Sequence, residues 1–204
     1  MNTSSDASTI DEVVDFWLGQ SAAGAPDKQQ MARWFKADPA LDSEIERRFG
    51  TTLMAARGGQ RDHWTATPRG WLALLIVLDQ FSRNIHRGTA QAFAADAQAR
   101  AIALAGIERG DDQLVAPLAR LFCYLPLEHA EDLSLQHRSV ALFTALHADA
   151  DDAQRALLAT TLDYAHQHAQ VIERFGRFPH RNRILGRVDT PEELLYLAQP
   201  GAGF

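Results

Sequence analysis

Six basic side chains crowd one short stretch of the chain: Arg174, Arg177, His180, Arg181, Arg183 and Arg187. The protein as a whole is acidic, with a formal charge of −6 over 204 residues, so this local excess needs a partner. Planar guanidinium groups bind carboxylate or phosphate through paired, charge-assisted hydrogen bonds. The stretch therefore reads as a site for an anionic group, with Arg177, His180, Arg181 and Asn182 as ligand contacts. A competing reading pairs the arginines with Asp79, Glu128, Glu131 and Asp132 and so fastens the C-terminal segment to the body, because structural ion-pair networks resemble functional sites.

Glu128, His129, Glu131 and Asp132 place an imidazole among carboxylates, the residue types of general acid/base work or metal binding. His129, Asp132 and His168 are the candidate catalytic groups, with His168 or His180 as the further ligands that a metal would need. No ligand motif of known spacing accompanies them, so the sequence assigns no metal and no cofactor. His168 lies four residues before Ile172 and seven before Phe175, on the apolar face of a helix, where an imidazole requires a hydrogen-bond partner. Asp79, Gln80, Arg83 and Asn84 follow the most apolar run of the chain and form either the polar floor of a pocket or the cap of a core helix.

These groups have to be positioned by helices. Thr9 and Glu12 have capping-box spacing ahead of Val13, Phe16 and Trp17, and Gly19 can close that helix. A second short helix is expected from Pro26 through Met31, Trp34 and Phe35. Asp38-Pro39 and Thr67-Pro68 each put a capping residue before a first-turn proline. Leu41, Ile45, Phe49 and Leu53 then fall four apart on one face, whereas residues 71–78 are apolar on every side and describe a helix enclosed by others. Small residues between Gly88 and Gly110 suit a closely packed helix. Pro117 can open the next helix, and a break is expected at Leu125-Pro126. Asp132 or Ser134 can cap a helix through Val140, Phe143 and Leu146. The acidic residues at 149–152 suit the positive start of a long helix that Gly176 ends. Thr190-Pro191-Glu192-Glu193 is another capping box. Trp17, Trp34, Phe35, Trp64 and Trp71 read as core.

No segment alternates with a period of two, and GxGxxG, GxxxxGKS/T, GxSxG and HExxH are all absent. The expectation is a single all-α domain over residues 1–204 with about nine helices, flanked by flexible tails at 1–8 and 199–204.

Three phrases carry a resemblance: Asp79-Gln80-Phe81-Ser82-Arg83-Asn84-Ile85, Leu125-Pro126-Leu127-Glu128-His129-Ala130-Glu131-Asp132 and Phe175-Gly176-Arg177-Phe178-Pro179-His180-Arg181-Asn182. With Phe16-Trp17, Trp34-Phe35, Ala92-Phe93, Asp96, Leu185-Gly186-Arg187 and Glu192-Glu193, they resemble a bacterial family catalogued as domain of unknown function 924. The resemblance implies a fold similar to tetratricopeptide-like superhelices, with stacked antiparallel helix pairs, and implies no activity. The 34-residue repeat consensus itself is not visible: Trp71 is followed by Leu74, but Leu75 stands where that consensus has glycine.

Composition narrows the partners. The 46% hydrophobic and 23% charged fractions are those of a globular protein. Interleaved charges leave no basic stripe for nucleic acid, and no apolar run approaches the roughly 20 residues that span a bilayer. The single cysteine, Cys123, excludes an internal disulfide and fits a reducing, cytoplasmic compartment. The N-terminus lacks the basic and apolar regions of a signal peptide. Taken together, the residues point to a binding module in which Arg83, Arg177 and Arg181 hold an acidic group of a small molecule or peptide. The alternatives are a hydrolase built on the His/carboxylate set and an interaction scaffold, with a homo-oligomer left open.

Overall fold

Local capping chemistry accounts for most of the helix boundaries. The computed structural model describes residues 3–19 and 28–203. α1 (Thr3–Leu18) begins six residues before Thr9, and α2 is Lys28–Phe35; Pro26 lies outside the described residues. α3 (Pro39–Arg57) starts at the Asp38 cap, whose side chain accepts from the Ala40 and Leu41 N–H groups. α4 (Pro68–Leu75) starts at Thr67, whose hydroxyl accepts from the Gly70 N–H. The rod continues without interruption through a π-helical segment, Ile76–Phe81, into α5 (Ser82–Ile85). α6 is Asp96–Arg109, closed by left-handed Gly110. α7 is Arg120–Glu128, α8 Leu133–Ala148 and α9 Arg155–Phe175. α10 (Asn182–Leu185) is one turn, and α11 (Pro191–Leu197) carries the capping box between Thr190 and Glu193. The described residues form no strand, and none of their helices is long and apolar enough to cross a membrane.

The α4 rod sits at the centre. Trp71, Leu72, Ala73, Leu74, Leu75, Ile76, Val77 and Leu78 are all buried, as an all-round apolar helix requires. α1 and α3 cover one side with Val13, Trp17, Ile45 and Phe49, while α6 and α7 cover another with Ala99, Ala103, Leu121 and Phe122. Rings lock this core. Phe49 stacks on Phe81 with centroids 4.8 Å apart, and Trp17 meets Phe81 and Phe122 edge to face at 5.5 and 5.9 Å. Gly106 of α6 faces Trp71 so closely that an added Cβ would overlap the indole, and the indole N–H donates to the Ile102 carbonyl at 2.8 Å. α8 and α9, joined by a short connection, pack along each other.

Two expectations need correction. The chain does not break at Leu125-Pro126, because α7 runs through Pro126 to Glu128. A proline removes its own donor and crowds the carbonyl of the preceding turn, yet helical bonding resumes with the His129 N–H to the Leu125 carbonyl at 2.9 Å. Burial of Phe122, Pro126 and Leu127 holds the segment in place. The stretch expected as a C-terminal tail turns back: Ala202 N–H donates to the Gln199 carbonyl, and Gly203 lies against His180.

Candidate functional site

Asp79 lies inside the π-helical segment and is 1% exposed. A π turn inserts an extra residue into the helical register, and such turns recur at functional sites. This one directs a carboxylate to the inner wall, where three groups converge on it. Gln80 Nε2 donates to Oδ2 at 2.7 Å, Arg83 Nη2 donates to Oδ1 at 3.3 Å, and His129 Nδ1 stands 2.8 Å from Oδ1. Burial opposes ionisation of Asp79, but His129, Arg83 and the hydrogen bonds hold its carboxyl below the usual carboxylate range. An ionised carboxylate only accepts, so His129 carries its proton on Nδ1 and turns an Nε2 lone pair outward. The His129 side chain is 15% exposed, and its Nε2 is neither sealed from solvent nor bonded to any described residue.

Arg83 reaches further, to both oxygens of Asp96 at 3.0 and 3.1 Å. Arg181, from the C-terminal segment, approaches the same carboxylate at 3.6 Å and donates to the His129 carbonyl at 3.1 Å. Its guanidinium lies over Phe93 and Phe178, 4.7 and 4.4 Å from the ring centroids, and Arg83 lies over Phe93 at 5.4 Å. The segment is anchored by Glu131, which accepts from the Phe178 N–H at 2.8 Å and from two nitrogens of Arg187 at 2.7 and 2.9 Å. The basic turn thus folds back on the acidic stretch that follows Pro126.

Behind His129 lies a second buried pair. His168 donates Nδ1–H to the Tyr164 carbonyl at 2.8 Å, with Glu128 Oε1 3.3 Å away. Burial, aided by the charge of Asp79, pushes the Glu128 carboxyl up to about 8. Burial and the neighbouring His129 and Arg181 bring His168 down to about 3. His180 is lowered to about 4 by burial and Arg181, and His129 is lowered by burial and Arg83. Arg181 itself falls to about 10 through burial and the charge of Arg83. Burial is the first cause of each of these histidine shifts, and nearby cationic groups add to it.

A sequence model of the family described as "Bacterial protein of unknown function (DUF924)" matches residues 13–201. The chain belongs to this family. It is also similar to the solved structure of a protein of unknown function from Agrobacterium tumefaciens, at 41% identity and a TM-score of 0.79, covering 94% of this chain and 98% of that one. No curated protein matches the chain.

Within this DUF924 chain the expected site residues divide. Asp79, Gln80, Arg83, Glu128, His129, His168 and Arg181 come together. Asn84 instead donates to Asp42 at 2.8 Å, beside Arg87. Arg177 is committed to Glu193 through two bonds of 2.6 and 2.8 Å and to the Val188 carbonyl, so it secures α11 and does not face the centre. Asn182 donates to Asp189 at 2.7 Å. His180 sits beside the Phe178 ring at 5.6 Å. Asp132 is exposed and caps α8, accepting from the Leu135 N–H and the Ser134 hydroxyl. That engagement removes it as a partner of His129. Among the described residues no group of three or more His, Cys, Asp or Glu is arranged to hold a metal ion.

Sequence reasoning missed Asp96 and Phe93 as site residues. The available signal was an acidic first-turn residue three positions after an aromatic, in a phrase that already carried the family resemblance. Two shallow grooves lie elsewhere, beside the C-terminal end of α9. One is lined by Arg174, Phe175, Arg177, Glu192 and Glu193, the other by Gln170, Phe175 and Tyr196. Neither includes Asp79, Glu128 or His129.

Proposed function

We propose that this chain is a helical, cytoplasmic binding module that holds an anionic group of a small molecule at the centre formed by Arg83, Arg181 and His129. One observation carries the reading. Two guanidinium groups, Arg83 and Arg181, converge on the Asp96 carboxylate at 3.0 to 3.6 Å, with side chains 19% and 8% exposed. Guanidinium groups brought together in this way bind carboxylate or phosphate through charge-assisted hydrogen bonds. Arg177, held by Glu193 and the Val188 carbonyl, lies apart from this centre.

At fixed ionic strength, a panel of small carboxylates and phosphates is expected to include members that raise the melting temperature of the wild-type protein. Their affinity falls by about tenfold or more in Arg181→Gln and is unchanged in Arg177→Gln. A wild-type melting temperature indifferent to the whole panel overturns the reading.

A second reading is favoured by the imidazole. An accessible Nε2 lone pair, oriented by a buried carboxylate on Nδ1, is the arrangement of a general base, so the same centre suits hydrolysis of a bound anionic ester. Turnover of p-nitrophenyl esters that disappears in His129→Gln supports this reading, and turnover that survives the change rejects it.

A further inference from the structure

The stretch that follows α11 is held at its two ends and not between. Gln199, Pro200 and Gly201 are exposed, whereas Ala202 and Gly203 are half-buried. The backbone turns on itself: the Gln199 N–H donates to the Tyr196 carbonyl at 3.0 Å, and the Ala202 N–H to the Gln199 carbonyl at 3.2 Å. Between this stretch and α9 a groove of about 300 Å³ is left, with Val171, Phe175 and Tyr196 along its wall. The chain thus bridges a gap instead of filling it, and comes down on one side chain. An added Cβ on Gly203 would stand 3.1 Å from His180 Cβ and 3.9 Å from its Nδ1.

His180 borders the polar centre. The charges of Arg181, Glu131, Arg83 and His129 all reach its imidazole. The ring lies 5.6 Å from Phe178, which in turn meets His168 edge to face at 5.5 Å and carries the Arg181 guanidinium at 4.4 Å. We infer that residues 199–203 are a strap that closes the His180 side of the centre and opens without disturbing the helices that build it.

Two features keep the opening local. α11 is fastened on its own account, by the Thr190–Glu193 box and by the bonds from Arg177 to Glu193, so release of the strap stops at the end of that helix. Only the small residues Ala202 and Gly203 are drawn against the body, so little apolar area is given up, and segments of this kind open at the low end of the free energies of local unfolding. The closed form also depends on glycine. Gly201 and Gly203 have φ of +79° and +96°, values that residues with a Cβ seldom adopt. At 203 the demand is double, since His180 leaves no comfortable room for a side chain. Access is controlled in this way whatever the centre binds.

The test compares the wild-type protein with two variants, Gly203→Val in the full chain and a deletion of residues 199–204, and reads two properties of His180. With diethyl pyrocarbonate at pH 7, followed by peptide mass spectrometry, both variants should modify His180 severalfold faster than the wild type. His168, buried beside Phe178, should keep its wild-type rate. In an imidazole NMR titration the His180 midpoint should climb from about 4 towards the ordinary 6.5 as water reaches the ring. A His180 rate and midpoint unchanged in both variants, or a rise that comes only together with one at His168, overturns the inference.

Discussion

A single rod, from Pro68 to Ile85, is buried on two different terms. Its first part, around Trp71 and Leu74, is enclosed by aliphatic and aromatic side chains and leaves no polar side-chain atom to account for except the indole N–H, which finds the Ile102 carbonyl. Its second part, from Asp79 to Arg83, is enclosed by ion pairs, amide donors and imidazoles. Apolar packing tolerates no vacancy but asks for no particular chemistry. A buried charge network asks for every partner, and its cost when incomplete is high. The contrast assigns stability to the first part and, under the function proposed above, recognition to the second.

The largest expected effect breaks the apolar side of the comparison. Trp71→Ala removes the ring that α6 closes over at Gly106 and should lower unfolding free energy by about 3–5 kcal/mol, read by denaturant titration. Asp79→Asn attacks the polar side. It removes the charge that Arg83 and His129 share and should cost about 2–3 kcal/mol, with loss of the fixed His129 tautomer visible in long-range imidazole 15N correlations. A loss as large as that of Trp71→Ala would erase the distinction between the two parts.

The most specific effect concerns pH. Glu128 is protonated in the folded state up to about 8, well above its ordinary value of 4.5. Its contribution to stability is therefore complete below about 4.5 and is lost as pH rises towards 8. His168 has the opposite sign: its folded value of about 3 lies below the ordinary 6.5, so its contribution is present above 6.5 and is lost as pH falls towards 3. Glu128→Gln should flatten the decline between pH 4.5 and 8 and leave the acid limb in place. A stability profile of the same shape in that variant would contradict the assignment of Glu128.

Much of the fold was legible because helix ends are local chemistry. Asp38-Pro39, Thr67-Pro68, Gly110, Gly176 and the Thr190–Glu193 box each act within a few residues of themselves. Pro126 misled because the packing of α7 outweighs one missing donor, and packing cannot be read from a local pattern. The site was legible by residue type and less so by direction. His129, Arg83 and Arg181 meet as expected, yet Arg177 and Asp132 are satisfied by Glu193, Ser134 and the α8 backbone. Asp96 and Phe93 enter through tertiary contact alone. The register shift of the π turn, which decides where Asp79 points, has no sequence pattern of its own.

The claim that the polar centre is the binding site, and not merely a latch for the C-terminal segment, is tested most directly by NMR of arginine side chains. With a saturating small carboxylate or phosphate that raises the melting temperature of the wild-type protein, the Nε–H resonances of Arg83 and Arg181 should shift. That of Arg177, whose Nε already donates to Glu193 at 2.6 Å, should stay where it is. Movement of Arg177 alone, or of none of the three at saturating anion, would contradict the account.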